Sequence, residues 1–456
     1  MKIAVGLTTS DLSSLDHAKL NLTLAQSNNG PASVYKMAAP VSLTGICGQT
    51  RGLPVCQLAP GRTLTVSHKA ARTGEPGALT LTSPQALALQ PGEWLLVAGK
   101  EDRSRFSTDS IKRSSVPAVY QGSMAVFGTA KGLRAALICD LDEYLRGVLH
   151  SEIPGSYHIE AIKCQAVAAR TYALRPRIDH GGDCINVCDS YLCCQYFGGL
   201  KASITASHKQ AIDATASQVL VYQDRPILAL FSSCAGGHTE HYENSFSDPI
   251  TNRFPPEPLP YLRGVPETAP EVVSNGFTEE ALRKLYSTGK PSTVDQWSHH
   301  FKWAVTLTGD QIESHLHHNA ATMLARPEQA PFLTPPPSGK FGHVRGLTAR
   351  RRGVSGQIIE LAVSTSTGDW LVRKELVIRD LFKVPPVKLA RLKSARIFFN
   401  SSRDRHGHIT SLTICGLGWG HGVGMQQTGA QGWAKKGLDY KRILTHYFTS
   451  VSIETV

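Results

Sequence analysis

The sequence predicts an α+β fold, with short strands and helices mixed along the chain in two packed subdomains. Three observations predict it. The first 120 residues carry short apolar segments, among them "GALTLTS" and "PGEWLLVAG", that alternate weakly between turn-rich joints. From Leu141 onward the pattern changes to helical spacing, with Leu141, Leu145, Val148 and Leu149 in one stretch and Ile159, Ile162, Ala166 and Ala169 in the next. The length of 456 residues is enough chain for two to four domains.

Residues 1–120 read as a β-rich region with no motif that points to chemistry. Cys47 and Cys56 either bridge a small loop there or are free. From Met124 to Leu149 a strand pair leads into a helix within "AALICDLDEYLRGVLHSE", which Pro154 ends. A second helix, "YHIEAIKCQAVAARTYAL", places Lys163 and Arg170 on one face. A cysteine-rich loop (180–195), a helix near 201–216 and a strand "LVYQDRPILALFSS" follow, and the strand enters the glycine turn "CAGGHTE". "NRFPPEPLPYL" reads as a connector. Residues 277–330 carry helical segments with a histidine cluster, "SHLHHN", and residues 331–342 a flexible insertion. "RRGVSGQIIELAVST" and "DWLVRKELVIRDLF" supply further strands and a short helix, and "GWAKKGLDYKRILTHYF" an amphipathic helix. There is no internal repeat.

No run of about 18 apolar residues exists, so no membrane-spanning helix is expected. The apolar stretch in "MKIAVGLTTSDL" is too short for a secretory signal. Either the protein stays inside the cell or the sequence lacks its export segment. The net charge of +12 favours an anionic partner, nucleic acid or an acidic wall polymer. The basic residues are scattered and no nucleic-acid motif accompanies them. A solvated surface is therefore the simpler meaning, and no nucleic-acid partner is expected.

Ten cysteines are present, and Cys184, Cys188, Cys193 and Cys194 crowd into "HGGDCINVCDSYLCCQ" beside His180. Such crowding fits a closed structural zinc, a disulfide or free thiols. Cys193 and Cys194 are adjacent and do not easily both ligate one ion. The run "GLGWGHGVG" (416–424) has glycine at every second position. An extended segment would put all five glycines on one face and Leu417, Trp419, His421 and Val423 on the other. Strict alternation does not match a phosphate-binding fingerprint. A bulge or a packing site is the plainer alternative.

"LDEYLRGVLHSEIPGSYHIEAIKCQAVAARTYAL" resembles the core signature of the stage II sporulation protein D family of bacterial cell-wall lytic transglycosylases, which includes the amidase enhancers. "VCDSYLCCQYFGG", "FSSCAGGHTE", "LPYLRGV" and "GWGHGVGMQQTGA" resemble it in the same order. The resemblance covers roughly residues 120–450. It implies a catalytic domain over 121–450 around a substrate cleft, with the possible insertion near 331–342, and leaves 1–120 outside it. Glu152 takes the place of the family's catalytic acid, in Glu-x-Pro. Lys163, Gln165, Arg170 and Tyr172 match the helix that lines the cleft. Ser233, Thr239, Glu240, His421 and Gln427 fall in the later motifs and are expected near substrate. Some members hold zinc through a histidine and two cysteines, which map to His180, Cys188 and Cys194. One structural zinc and no organic cofactor are thus implied. Two departures stand out. Ser232–Ser233–Cys234 replaces a serine-rich run, and Thr428 stands where the family has tyrosine.

The implied chemistry is the cutting of N-acetylmuramic acid–N-acetylglucosamine bonds in peptide-stripped peptidoglycan strands, leaving 1,6-anhydro ends, in the bacterial cell envelope. One carboxylate suffices, because the muramyl C6 hydroxyl attacks its own C1 and the same group first donates and then accepts a proton. Most glycosidases need two carboxylates. Asp142, Glu143 and Glu160 read as helix-surface charges, while Asp189 and Glu240 sit in motif loops and orient donors. The alternative function is a non-catalytic wall-binding activator of a cell-wall amidase.

Overall fold

A computed structural model describes residues 1–26, 30–38, 43, 53–69, 78–83, 87–90, 92–99, 103–113, 116–175, 185–200, 204–268, 278–287, 293–383 and 391–456. Nine helices and several small sheets among these residues give the α+β class that the sequence predicts. The chain divides into two compact units, Met1–Val219 with Thr455–Val456, and Leu220–Glu454.

The N-terminal unit contains a seven-stranded sheet ordered Val187–Cys188, Lys2–Gly6, Leu133–Asp140, Ser123–Gly128, Glu93–Ala98, Ala32–Ala38 and Cys56–Leu58. Its pairs are antiparallel except the first, where Val187–Cys188 runs parallel to Lys2–Gly6. Residues on both sides of position 120 therefore share one sheet. A six-stranded antiparallel sheet includes Lys19–Leu24, where Leu20, Leu22 and Leu24 are buried and the residues between them are not. That is the period of two expected of a half-buried strand. Ser123–Gly128, central in the larger sheet, is buried on both faces for most of its length.

"ALICD" belongs to the strand Leu133–Asp140, and helix α1 begins only at Leu141 and runs to Glu152. Asp142 and Glu143 in its first turn suit the positive end of the helix dipole. Helix α2 (Ile159–Leu174) buries every residue from Cys164 to Ala173. Its small alanines let neighbours close in on all sides, and a helix apolar all round is a core helix. Helix α3 (Ala206–Ala214) is shorter than the stretch 201–216 and starts at a capping box between Thr205 and His208.

The C-terminal unit holds a three-stranded antiparallel sheet with Ile409–Leu417 between Lys302–Thr308 and Ile397–Arg403. It also has a four-stranded sheet ordered Leu333–Thr334, Gly368–Arg373, Ile358–Thr365 and Val344–Arg352. Around these sit α4 (Tyr242–Ser245), α5 (Glu279–Ser287), α6 (Gly309–Leu324), α7 (Glu375–Leu381), α8 (Gln427–Lys435) and α9 (Tyr440–Tyr447). The segment 277–330 is thus interrupted by a strand. "LVYQDRPILALFSS" forms only short strands, because its extended core is split by the turn at Gln223–Asp224, where both residues have positive φ. Near 331–342, Phe332 is buried in the core and Leu333 pairs with Val372, which fixes the start of that segment.

One buried ion pair ties the unit's N-terminal sheet to the cysteine loop. Asp189 and Arg113 are both buried and directly paired. Asp189 also accepts the Thr8 backbone N–H (2.9 Å) and hydroxyl (2.6 Å). Removing one partner of such a pair leaves a buried charge without compensation. Asp189→Asn is expected to cost about 3–5 kcal/mol of stability in urea unfolding. A loss below about 1 kcal/mol, the level of an exposed pair, would contradict the role given to it.

Candidate functional site

Glu152 is the last residue of α1, where Pro154 two positions on prevents the helix from continuing. The helix end is pinned from two sides. His208 of α3 places Nε2 at 2.9 Å from the Ile153 carbonyl. The Glu152 carboxylate accepts the Tyr196 backbone N–H at 2.7 Å. Gly147, one turn and a half earlier, lets Phe197 lie against the helix, since a Cβ there would come within 2.3 Å of the Phe197 ring. Gln195 donates to the Tyr144 hydroxyl (2.9 Å) and to the Ala169 carbonyl (3.1 Å), clamping the same loop to α1 and α2. The loop 194–197 thus holds the carboxylate in place. Sequence reasoning passed over Tyr196, whose contribution is a backbone N–H that carries no side-chain signature.

The other N-terminal residues expected at the site separate into two groups. Lys163 is half-buried and donates to Glu160 at 2.7 Å, so Glu160 is a paired group rather than a lone surface charge. Arg170 does not share its setting: it is 1% exposed, donates to the Gln218 carbonyl (3.2 Å) and lies 3.8 Å from Asp142. Burial lowers its pKa. Gln165 is fully buried. Both lie in the part of α2, Cys164 to Ala173, that is buried throughout, whereas Lys163 at its start is half-exposed. Tyr172 is 5% exposed and donates to the Cys193 carbonyl at 3.4 Å, which makes it a support for the cysteine loop.

In that loop the sulfurs of Cys188, Cys193 and Cys194 lie within 4.8 Å of one another. Cys193 Sγ and Cys194 Sγ are 3.9 Å apart, and the Cys188 N–H points to Cys194 Sγ at 3.3 Å. Adjacency in sequence does not keep the two sulfurs apart from Cys188. The turn at Ser190–Cys194 brings both sulfurs to Cys188. A tetrahedral zinc with bonds of about 2.3 Å spaces its sulfurs about 3.8 Å apart, so this donor set fits the ion. His180 and Cys184 lie outside the described residues.

In the C-terminal unit the glycine run is not the flat ribbon that alternation suggests. Only Gly416 and Leu417 belong to the strand. Gly418, Gly420, Gly422 and Gly424 all have positive φ, between 71° and 112°, so the chain winds at each of them. It winds along residues 230–240. Trp419 and Cys234 exchange both backbone hydrogen bonds, Glu240 N–H donates to Gly422 O (2.7 Å), and Phe231–Ser232 pairs in parallel with Met425–Gln426. A Cβ on Gly418 or Gly424 would strike the Cys234 or Leu230 carbonyl at 2.6 or 2.2 Å. Close packing is what Gly416, Gly418, Gly420 and Gly424 permit, whereas a Cβ on Gly422 would meet nothing nearer than 3.8 Å. Leu417 and Val423 are buried and Trp419 is 40% exposed, so the residues between the glycines do not share one face.

The adjoining "CAGG" turn is wrapped by two buried charges that the sequence reading did not single out. Asp295 accepts the Gly236 and Gly237 N–H groups (2.7 and 3.1 Å), and Arg396 donates to the Ala235 and Gly236 carbonyls (3.0 and 2.6 Å). Burial brings the Arg396 guanidinium down to about 10. Glu240 is fully buried and its oxygens receive the N–H groups of His241, Val354 and Ser355, the Asn244 amide and the Ser355 hydroxyl. It orients donors, as expected of a loop carboxylate, but they belong to the protein. Thr239 is buried and exchanges hydrogen bonds with Val265. Ser233 is half-buried, with its carbonyl accepting both the N–H and the hydroxyl of Thr428. Thr428 therefore faces inward. Gln427 opens α8 and is 9% exposed. His421 turns its ring onto Phe246, places Nε2 at 3.0 Å from the Phe231 carbonyl, and accepts the Val423 N–H at Nδ1. Those partners require the neutral tautomer protonated at Nε2.

Residues 129–222 match the family model described as "Stage II sporulation protein", and residues 248–424 match one described as a domain of unknown function. The chain is 28% identical to the amidase enhancer of Bacillus subtilis over 313 residues, 68% of this chain and 40% of that protein. It is 26% identical over 314 residues to an uncharacterized protein of Brachyspira hyodysenteriae, 69% of this chain and 66% of that one. It is also 26% identical over 326 residues to stage II sporulation protein D of Bacillus subtilis, 69% of this chain and 74% of that protein. The chain thus spans less than two thirds of the first two relatives. Glu152 and the described part of the cysteine loop fall within the span 129–222 that matches the stage II sporulation protein model, while the motifs after residue 222 lie outside it.

Burial holds the imidazoles of His421 and His238 at about 4, below the ordinary 6.5. The unfolded chain therefore binds more protons below pH 6.5, and stability rises with pH through that window. The urea midpoint is expected to stay level above about pH 6.5 and to fall toward pH 4, with a shallower fall in His421→Asn. An equal slope in wild type and variant would show that His421 is not held neutral.

Proposed function

We propose that the protein is a lytic transglycosylase that cleaves N-acetylmuramic acid–N-acetylglucosamine bonds of peptide-stripped peptidoglycan strands in the cell envelope. The observation that carries this reading is the placement of Glu152, a carboxylate at a helix end held by the Tyr196 N–H, within the sporulation protein D domain. In the reaction, the Glu152 carboxyl gives its proton to the glycosidic oxygen as the C1–O bond breaks. The muramyl C6 hydroxyl then bonds to C1, and its proton returns to Glu152. Atoms balance without water, and the product carries a 1,6-anhydro ring. The Tyr196 N–H donates to Oε1 and so holds the carboxyl in orientation. An intramolecular nucleophile reaches effective concentrations that make a second carboxylate unnecessary.

A zinc ion would be held by Cys188, Cys193 and Cys194 and would lock the loop whose next residues support Glu152. Its part is structural. Among the expected site residues, Lys163, Ser233 and His421 are half-buried rather than buried.

The similarity to an amidase enhancer favours a second reading, in which the protein activates a cell-wall amidase and cuts nothing itself. Glu152→Gln separates the two. On peptide-stripped glycan, the lyase reading expects a loss of about 10²- to 10⁴-fold in strand cleavage, the contribution of a positioned acid–base group. Stimulation of an amidase by wild type and variant alike, with no strand cleavage by either, would favour the activator. Metal analysis of purified protein is expected to find about one zinc per chain, falling in Cys188→Ser and Cys194→Ser. Full loading in both variants would remove the thiols from the site.

A further inference from the structure

Resting on the glycan reading, we infer that Trp297, Trp419, His300, Lys393 and Lys435 form a second carbohydrate-binding surface on the C-terminal unit, for strands whose muramyl lactyl carboxylates are bare. Large indoles are ordinarily withdrawn from water, and Trp303 and Trp370 are, at 7% and 3% exposure. Trp297 and Trp419 stand at 45% and 40%. Each has an ammonium group over its ring. Lys393 Nζ lies 5.2 Å from the Trp419 centroid and Lys435 Nζ 5.2 Å from the Trp297 centroid. Neither lysine has a carboxylate partner among the described residues. The His300 ring meets Trp419 at 4.1 Å and His299 at 3.6 Å. Burial and the neighbouring His299 and Lys393 bring its pKa to about 4, so His300 is neutral and the lysines carry the charge.

The surface is built on fixed backbone. The turn before Phe301 is closed by hydrogen bonds from Ser298 to Asp295 and from Phe301 to Ser298. Gly418 donates to the Phe301 carbonyl (3.0 Å), and the Trp303 indole donates to the Gly418 carbonyl (2.8 Å), joining the turn to the glycine run. Trp419 is further held by its exchange with Cys234. Lys435 ends α8. Aromatic side chains on such a frame lose little freedom when they bind.

A pyranose ring has an apolar C–H face and a polar rim. The C–H face fits an indole, and the adjacent ammonium meets a carboxylate at the rim. Peptide removal is what exposes the lactyl carboxylates, so one surface reads both the sugar and its stripped state. A neutral chitooligosaccharide has the apolar faces and lacks the charge.

The test is equilibrium binding in a Glu152→Gln background, which keeps the strands intact. Titration of peptide-stripped glycan is followed by calorimetry, with circular dichroism to verify folding. Trp297→Ala and Trp419→Ala together are expected to weaken binding about tenfold or more, and Trp→Phe at both positions to restore most of it. Lys393→Gln with Lys435→Gln is expected to abolish the preference for stripped glycan over chitooligosaccharide and to flatten the salt dependence. Parent-like affinity in both double variants, while the wild type still cleaves stripped strands, overturns the surface and leaves the enzyme reading intact. Absence of both binding and cleavage by the wild type overturns both. Equal affinity for single-stranded DNA through the same residues overturns the glycan assignment.

Discussion

The buried pair between Asp189 and Arg113 is the constraint on which the N-terminal unit's site depends. Arg113 comes from the second sheet and Asp189 from the cysteine loop, and Thr8 at the end of the first strand donates to the same carboxylate. Breaking any of these leaves a charge or donor stranded in a low-dielectric interior. From this point the chain runs through Ser190 into the thiol turn, and Phe197 donates back to the Asp189 carbonyl at 3.2 Å. Between those two anchors lie Cys193, Cys194 and the N–H that orients Glu152, with Cys188 just before the first. Residues 1–120, which showed no chemistry of their own, thus supply half of the framework for it.

The C-terminal unit reaches rigidity by a different route. Its central run has little side chain to pack, so order comes from backbone. Left-handed glycines allow two main-chain segments to meet at distances a Cβ forbids. Asp295 and Arg396 then satisfy the N–H and carbonyl groups that the "CAGG" turn exposes inward. Glu240 does the same for the turn at Val354–Ser355. The inward-facing backbone groups of that turn and the Glu240 carboxylate are tolerated in the interior because their hydrogen bonds are made.

The sequence made some of this legible and hid the rest. Helical spacing located α1 and α2, and Pro154 located the end that carries Glu152, because period and proline act locally. The glycine alternation suggested close approach, and close approach is found. It could not reveal the positive φ values, which depend on what the glycines pack against. Arg170 read as a helix-face cation because spacing does not report that this part of α2 is buried throughout. Cys193 and Cys194 read as a pair that does not easily share one ion, because adjacency in sequence does not show that a tight turn brings both sulfurs near Cys188. Asp295, Arg396 and the Tyr196 N–H act across long separations in the chain and leave no local pattern.

In the proposed reaction Glu152 is the one carboxylate and the sugar's own C6 hydroxyl the nucleophile. Digestion of peptide-stripped glycan in heavy-oxygen water, followed by mass spectrometry of the new ends, tests it most directly. The proposed reaction yields 1,6-anhydro ends, one water lighter than a reducing end and free of label. Labelled reducing ends would contradict it, since they require water to attack C1 and a second group to activate that water.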